Sequence, residues 1–323
     1  MPLDDLSAAI QIAFTYFTII YVTGLGGLFS ERSGIVNIGL EGMMIIGTVT
    51  ASFGTTYFTN DLGWGIPAGP AMGMLVGLVC GAAFAAIHAA ATVTFRVDHI
   101  VSGVVINVVA LGLARFLSQL FFGSASQSTS GVPNFDTIDI PLLASLPGGL
   151  GRAFQDMSPV TPVAFLLVIP VIFVLGRTRF GLRLRSAGEN PEATRTLGVR
   201  VAPLRYAGVG LSGILAGLSG AFLAVEVNAL YQEGQTQGLG FIALAALILG
   251  NWSPTRLMIG ALLFGFAQAI PLRLDDAPII GALPDQFIRM IPYVVTIIAI
   301  AGFVGRVQPP AAAGKAYEGA GGT

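Results

Sequence analysis

Asn37 and Glu41 stand four residues apart in SERSGIVNIGLEG, residues 30–42, so both fall on one face of a helix, and Thr48 joins them there. An asparagine amide pairs a donor with an acceptor and can read a hydroxyl or the edge of a base. A carboxylate in apolar surroundings either accepts hydrogen bonds or carries a proton, and it should face other helices or a water-filled path rather than lipid. The same polar inventory recurs at Asn107, Arg115 and Ser118, which project to similar sides of one helix, and at Gln268. Asn37, Glu41, Asn107 and Gln268 are therefore the candidates for holding a polar solute. Glu41, Arg115 or His88 could instead serve as the relay of an ion-coupled transporter. The plainer readings are a structurally paired carboxylate for Glu41 and a packed histidine for His88. No nucleophile, base and acid converge, because the few ionisable groups are scattered over different segments, so the chain does not read as an enzyme. Cys80 is the only cysteine and the histidines number 2, which leaves no intrachain disulfide, no cysteine-based metal cluster and no ordinary zinc site.

The elements that must position these groups are apolar. Of 323 residues 54% are hydrophobic and 10% charged, against roughly 25% charged in a soluble domain. The net charge of -1 offers no basic field for nucleic acid. Charge-poor runs divide the chain into about nine membrane-spanning helices, with eight to ten allowed, and an all-α polytopic fold follows. The spans are expected near 7–28, 37–58, 68–94, 99–122, 159–176, 206–227, 237–251, 257–272 and 287–304, the seventh and eighth short enough to be broken or re-entrant. No basic region precedes the first run, so it reads as a retained helix. With the joint at 177–205 in the cytoplasm, the inside segments collect 12 of the 16 cations, Arg32, Arg96, Arg256, Arg306 and Lys315 among them. Asp4, Asp5, Asp61, Asp136, Asp139, Asp156, Asp275 and Asp276 fall outside. That asymmetry places the N-terminus outside and the C-terminus inside. Residues 1–306 then form the transmembrane domain, and 307–323, rich in Ala, Gly and Pro, a disordered cytoplasmic tail.

Two glycine patterns are structural. Gly69, Gly73, Gly77 and Gly81 recur every four residues and line one helix face, where a neighbouring backbone can approach closely. GVGLSG, residues 208–213, matches a dinucleotide-binding string but lacks the strand and βαβ unit that would give it that meaning.

The basic joint from Arg177 to Arg205 carries seven arginines. Within it Asn190 can cap a helix, Pro191 suits the first position, Glu192 the first turn, and Gly198 the left-handed stop. This describes a short helix fixed between two spans, able to pass motion from a docked soluble protein; alternatively the joint rests on anionic membrane lipid. The opposite joint, Gly123 to Pro159, holds an apolar stretch at 142–150 that could form an interfacial helix and offers room for an external partner.

SERSGIVNIGLEG (30–42), RVDHIVSGVVINVVALGL (96–113) and AGENPEATRTLGV (187–199), taken together, resemble the permease subunits of bacterial ABC transporters in the branched-chain amino acid and ribose permease family, nearest its nucleoside and simple-sugar subgroup. The resemblance covers nearly the whole chain. It implies that Glu189, Asn190, Pro191, Ala193, Thr194 and Gly198 belong to a coupling helix contacting a cytoplasmic ATPase. It also implies a second permease, identical or related, an external substrate-binding lipoprotein or periplasmic protein, and a bacterial inner-membrane location. ATP and Mg would bind the ATPase: the only lysine, Lys315, is followed by Ala316, so this chain has no Walker A motif and no cofactor of its own. The expected function is an importer permease for nucleosides or simple sugars working by alternating access. An ion-coupled transporter acting without an ATPase is the alternative.

Overall fold

In the computed structural model the described residues are 3–147, 149–273, 284–303 and 307–317. Asp275, Asp276 and Arg306 of the charge count, and 318–323 of the tail, lie outside them. Among the described residues the chain is helical, with two isolated β-bridges and no strands. The helices are α1 Leu3–Arg32, α2 Leu40–Thr56, α3 Ala68–Ala89, α4 His99–Phe122, α5 Val160–Leu166, α6 Val168–Arg177, α7 Arg179–Glu189, α8 Pro191–Thr196, α9 Val201–Phe222, α10 Leu239–Leu249, α11 Pro254–Arg273 and α12 Asp285–Phe303.

Six of these segments are long and apolar enough to cross a membrane. The count of nine is not reached on that criterion, although each expected run is helical. α10 has 11 residues, about 16 Å at 1.5 Å per residue, half of a bilayer core of about 30 Å. α11, expected to be short, has 20 residues and full crossing length. The fifth run is broken at Leu167 into α5 and α6, because Pro170 has no N–H to give the carbonyl four residues earlier. The interfacial helix expected at 142–150 is replaced by a turn and a short 3₁₀ helix at Leu150–Phe154. Leu142 and Gly149 both take positive φ, 69° and 83°, which a continuous right-handed helix excludes.

α1 and α9 are mostly buried and form the centre, whereas α4 and the α5–α6 pair are mostly exposed at the periphery. Glycine sets how closely these helices approach. A Cβ on Gly81 would lie 2.5 Å from the carbonyl oxygen of Gly213, and one on Gly77 2.9 Å from that of Gly47. Gly69 and Gly73 meet Thr59 and Thr55 in the same way, so the stripe on α3 faces α2 and α9. The 208–213 string is interior to α9, with Gly208 against Ser33 and Gly213 against Gly81 and Ala85. One β-bridge, Gln127 with Gln232, joins the 123–159 joint to the segment entering α10, where Ser128 N–H donates to the Tyr231 carbonyl at 3.0 Å and Glu233 N–H to that of Ser126 at 2.7 Å; the other, Ile138 with Met157, lies within the 123–159 joint.

Candidate functional site

Three segments meet where α1 ends. α7, whose first turn is capped by Thr178 Oγ1 accepting from Gly181 N–H at 3.1 Å, runs directly into α8. Asn190 Oδ1 accepts from Ala193 N–H at 3.0 Å, Pro191 opens α8, and Gly198 stops the chain at φ 75°. Thr194 is buried and its hydroxyl lies 2.6 Å from that of Ser186, which seats α8 on α7. Glu189, Asn190, Ala193 and Gly198 are exposed, and so is Leu197, at 79%, an apolar tip directed away from the bundle.

The SERSG turn holds this platform. Gly188 packs against the carbonyl oxygen of Arg32 so closely that any side chain there would collide with it. Arg32 Nη1 pairs with Glu189 Oε1 at 3.6 Å, while its Nη2 donates to the Trp252 carbonyl at 2.7 Å. Trp252 Nε1 in turn donates to buried Glu31 at 2.5 Å. The α10–α11 turn, the end of α1 and the end of α7 that leads into α8 are thereby fastened together.

The tail corrects the expectation of disorder as far as Tyr317. Ala312 N–H donates to the Gly188 carbonyl at 2.9 Å, Gly314 N–H to that of Gly34 at 3.2 Å, and Ala311 N–H to Glu189 Oε2 at 3.2 Å. Buried Arg205 donates to the Lys315 carbonyl at 3.2 Å and lies over the Tyr317 ring, 5.6 Å from its centroid. The low-complexity composition that suggested a free chain leaves its backbone unobstructed, and that backbone supplies most of the contacts.

The interior polar residues divide into two groups. Asn37 is fully buried and spends its Nδ2 on Ser212 Oγ at 2.6 Å. Asn107 accepts from Gly42 N–H at 2.7 Å and donates to the Ile38 carbonyl at 3.0 Å, giving α2 the cap that its own N-terminal residues lack. His99 Nδ1 accepts from Val36 N–H at 3.3 Å; His88 lies 2.8 Å from Ser102 Oγ and 3.4 Å from the Val36 carbonyl. Both histidines thus support the non-helical joint before α2. Arg115 is exposed on α4, so His88, Arg115 and Glu41 are not assembled into a relay.

Glu41 caps α10 from a distance. Its Oε1 accepts from Thr236 Oγ1 at 2.6 Å and Gly238 N–H at 3.0 Å, and its Oε2 from Gly240 N–H at 2.7 Å. The carboxylate satisfies donors at the positive end of a helix whose own cap residue is Gly238. Gly240 allows the approach, since a Cβ there would lie 2.7 Å from Glu41 Cα. Glu41, Asn107, Thr236 and Gln237 line a cavity of about 360 Å³ walled by Val104, Val108 and Phe241.

Gln268 lies elsewhere, in a cavity of about 120 Å³ with Tyr16, Asn228, Gln232, Gln235, Gln237 and Tyr293. Gln237 borders both spaces, and Tyr16 also borders a third of about 300 Å³ that contains Asp156 and Glu226. The candidates read from sequence are therefore split: Glu41 and Asn107 share one cavity, Gln268 occupies another, and Asn37 is packed between helices. The amides of 228–237 were missed, although NALYQEGQTQ is dense in Asn and Gln between two apolar runs.

A family model described as branched-chain amino acid transport system, permease component, matches residues 9–300. The guanosine ABC transporter permease protein NupQ of Bacillus subtilis is 41% identical over 97% of both chains. The nucleoside ABC transporter permease protein NupC of Lactococcus lactis is 40% identical over 97% of this chain and 98% of its own. A putative glucose ABC transporter permease, TsgC13 of Haloferax volcanii, is 34% identical over 94% and 92%. With the transmembrane helices and the capped 190–198 segment already in place, these matches establish that the chain belongs to the branched-chain amino acid transport system permease component family.

Proposed function

We propose that this chain is the permease subunit of an ATP-driven nucleoside importer. The observation that carries the reading is its similarity, along nearly the whole length, to permeases named for guanosine and for nucleosides. α8 is the contact with a cytoplasmic ATPase that binds ATP and Mg, through Glu189, Asn190, Pro191, Ala193 and Gly198 and the exposed Leu197, with Thr194 anchoring it from behind. The supporting geometry is a short, capped helix tied by Gly188 and Arg32 to the end of central α1, so that a displacement of α8 reaches the core. Free energy enters by making one of two permease states more stable when the ATPases close.

The rest of the assembly follows from the same reading. The chain lies in the plasma membrane with α8 and the C-terminus on the cytoplasmic side, as its cation distribution favours. A second permease, identical or related, completes the path, and an external binding protein delivers solute to the opposite face. The exposed apolar face of α4, including Val104, Val108 and Leu111, suits a permease partner or lipid. Asn107, Gln237 and Gln268 are assigned to the path; Glu41 shapes it by fixing α10.

The test is guanosine uptake into liposomes holding this permease with its partner permease and ATPase, supplied with the binding protein. Uptake should require internal ATP, persist without an ion gradient and stop when 190–198 is replaced by a flexible linker. ATP-coupled uptake that survives that replacement overturns the assignment of α8.

A further inference from the structure

The cavity beneath Gln268 has a chemical character of its own. It gathers five carboxamides, Asn228, Gln232, Gln235, Gln237 and Gln268, in a volume of about 120 Å³. No charged residue lines it among the described residues. Asn228 Nδ2 donates to Gln235 Oε1 at 2.7 Å, which fixes the Gln235 amide in the cavity wall. Its Nε2 has no partner among the described residues although Gln235 is only 8% exposed. Burying a donor without an acceptor is costly, so an acceptor brought to this part of the wall is favoured. Gln232 and Gln237 are exposed and Gln268 is half-buried, so their amides are open to solvent or ligand.

The lining comes from separate elements of the chain. Tyr16 lies on central α1, Gln268 on α11 and Tyr293 on α12, whereas the amides of 228–237 belong to the irregular backbone entering α10. Gln237 itself is held at φ 45°, an uncommon conformation for a residue with a side chain. Tyr293 donates from its hydroxyl to the Gln237 carbonyl at 3.4 Å. Amides offer paired donors and acceptors, the complement of the lactam and amine edges of a nucleobase, and a phenol ring adds a face on which a base can stack. The neighbouring space that shares Tyr16 carries Asp156 and Glu226 and, among the described residues, no cationic side chain in its lining. Carboxylates accept from hydroxyls and repel phosphate.

We infer that the amide cavity is the selectivity site of the permease, reading the base edge of an uncharged nucleoside, and that it rejects the phosphorylated form. This rests on the nucleoside reading above and adds to it a place, a recognition chemistry and an excluded class. Gln235 supplies the fixed donor, and Gln268 and Gln232 supply amides free to turn toward either pattern of base edge. Because Gln268 makes no hydrogen bond among the described residues, removing its amide breaks none of those, and a loss of binding at unchanged Tm reports on ligand.

The experiment is equilibrium binding of tritiated guanosine to the detergent-solubilised permease–ATPase complex without binding protein, paired with uptake by the full transporter. Gln268→Leu and Gln235→Leu should each weaken guanosine binding about tenfold or more, the size expected when a group built to hydrogen-bond is lost. Gln268→Asn should recover part of it, and guanosine 5′-monophosphate should not compete in the parent complex. Gln268→Leu is the variant that decides if Gln235→Leu fails to assemble. Unchanged binding in Gln268→Leu, or competition by the monophosphate equal to that of guanosine, overturns the site while ATP-driven guanosine uptake stands. Absence of guanosine uptake by the unaltered transporter removes the nucleoside reading itself, and this site with it.

Discussion

α8 and α10 are both short helices whose first turns are capped by a side chain, yet one cap is local in sequence and the other distant. Asn190 caps α8 from the adjacent position, on an exposed surface, with one 3.0 Å hydrogen bond. Glu41 caps α10 from 199 residues away, inside the helical bundle, with three. Water can serve a frayed end at the first place but not at the second, where unmatched N–H groups cost several kcal/mol. A local cap therefore shapes a helix, whereas a distant one also fixes where the helix stands. For a transporter the two devices suit two tasks: a surface helix presented to a partner, and a half-length helix whose entry borders the polar cavities.

The largest expected effect breaks the distant cap. Glu41→Ala leaves the Thr236 hydroxyl and the N–H groups of Gly238 and Gly240 without their acceptor. At about 1–3 kcal/mol for each unmatched group, the loss should reach about 3–5 kcal/mol after relaxation. Thermal unfolding in detergent should show a clear fall in Tm and loss of uptake. A Tm equal to the parent's would show that α10 is held by packing alone, and the contrast with α8 would disappear.

Next comes the joint between the platform and the core. Gly188→Val drives a branched side chain into the Arg32 carbonyl and should cost about 1–3 kcal/mol as an overpacked contact. Its sharper signature is functional: ATP hydrolysis by the assembled complex should continue while uptake falls about tenfold, because α8 no longer moves with α1. Proportional loss of both activities would mean that the contact serves assembly rather than transmission.

A smaller effect is expected from the tail. Ending the chain after Arg306 removes the backbone hydrogen bonds to Gly188 and Gly34 and leaves Arg205 without Lys315 and Tyr317. At about 1 kcal/mol net for a typical hydrogen bond, uptake per ATP hydrolysed should drop about threefold with the helical content unchanged in circular dichroism. An unchanged ratio would show that the tail merely rests on the platform.

These contrasts also explain how much was legible beforehand. α8 could be read because its cap, its proline and its stop lie within nine residues, 190–198. α4 runs over 99–122, the bounds its charge-poor run suggested, since Asp98 caps the start through Ile100 and Val101 N–H and Gly123 ends it at φ 70°. The break at Leu167 was also written in the sequence, at Pro170. Glu41 was legible as a buried acid but its partners were not: nothing local distinguishes Gly240, whose missing side chain makes the approach possible, from the other 42 of the chain's 43 glycines. The tail failed for the opposite reason. Its composition describes what a chain cannot do alone, and its order comes from carbonyls on α7 and the SERSG turn.

The smallest effect tests the other half of the contrast. Asn190→Ala removes one side-chain cap from α8, worth about 1 kcal/mol where water can replace it. Global Tm should hardly move, because α8 contributes little to the core; only Thr194 of the helix is buried. Coupling should respond more than stability does. If α8 must arrive at the ATPase already folded, a cap loss of about 1 kcal/mol lowers its folded population and slows uptake about two- to fivefold, and Asn190→Asp or Asn190→Ser, which keep a capping oxygen, should restore it. If uptake is unchanged in Asn190→Ala while Gly188→Val abolishes it, the helix is folded by its partner and only its tether to α1 matters. The pair of variants thus separates a preformed contact from an induced one.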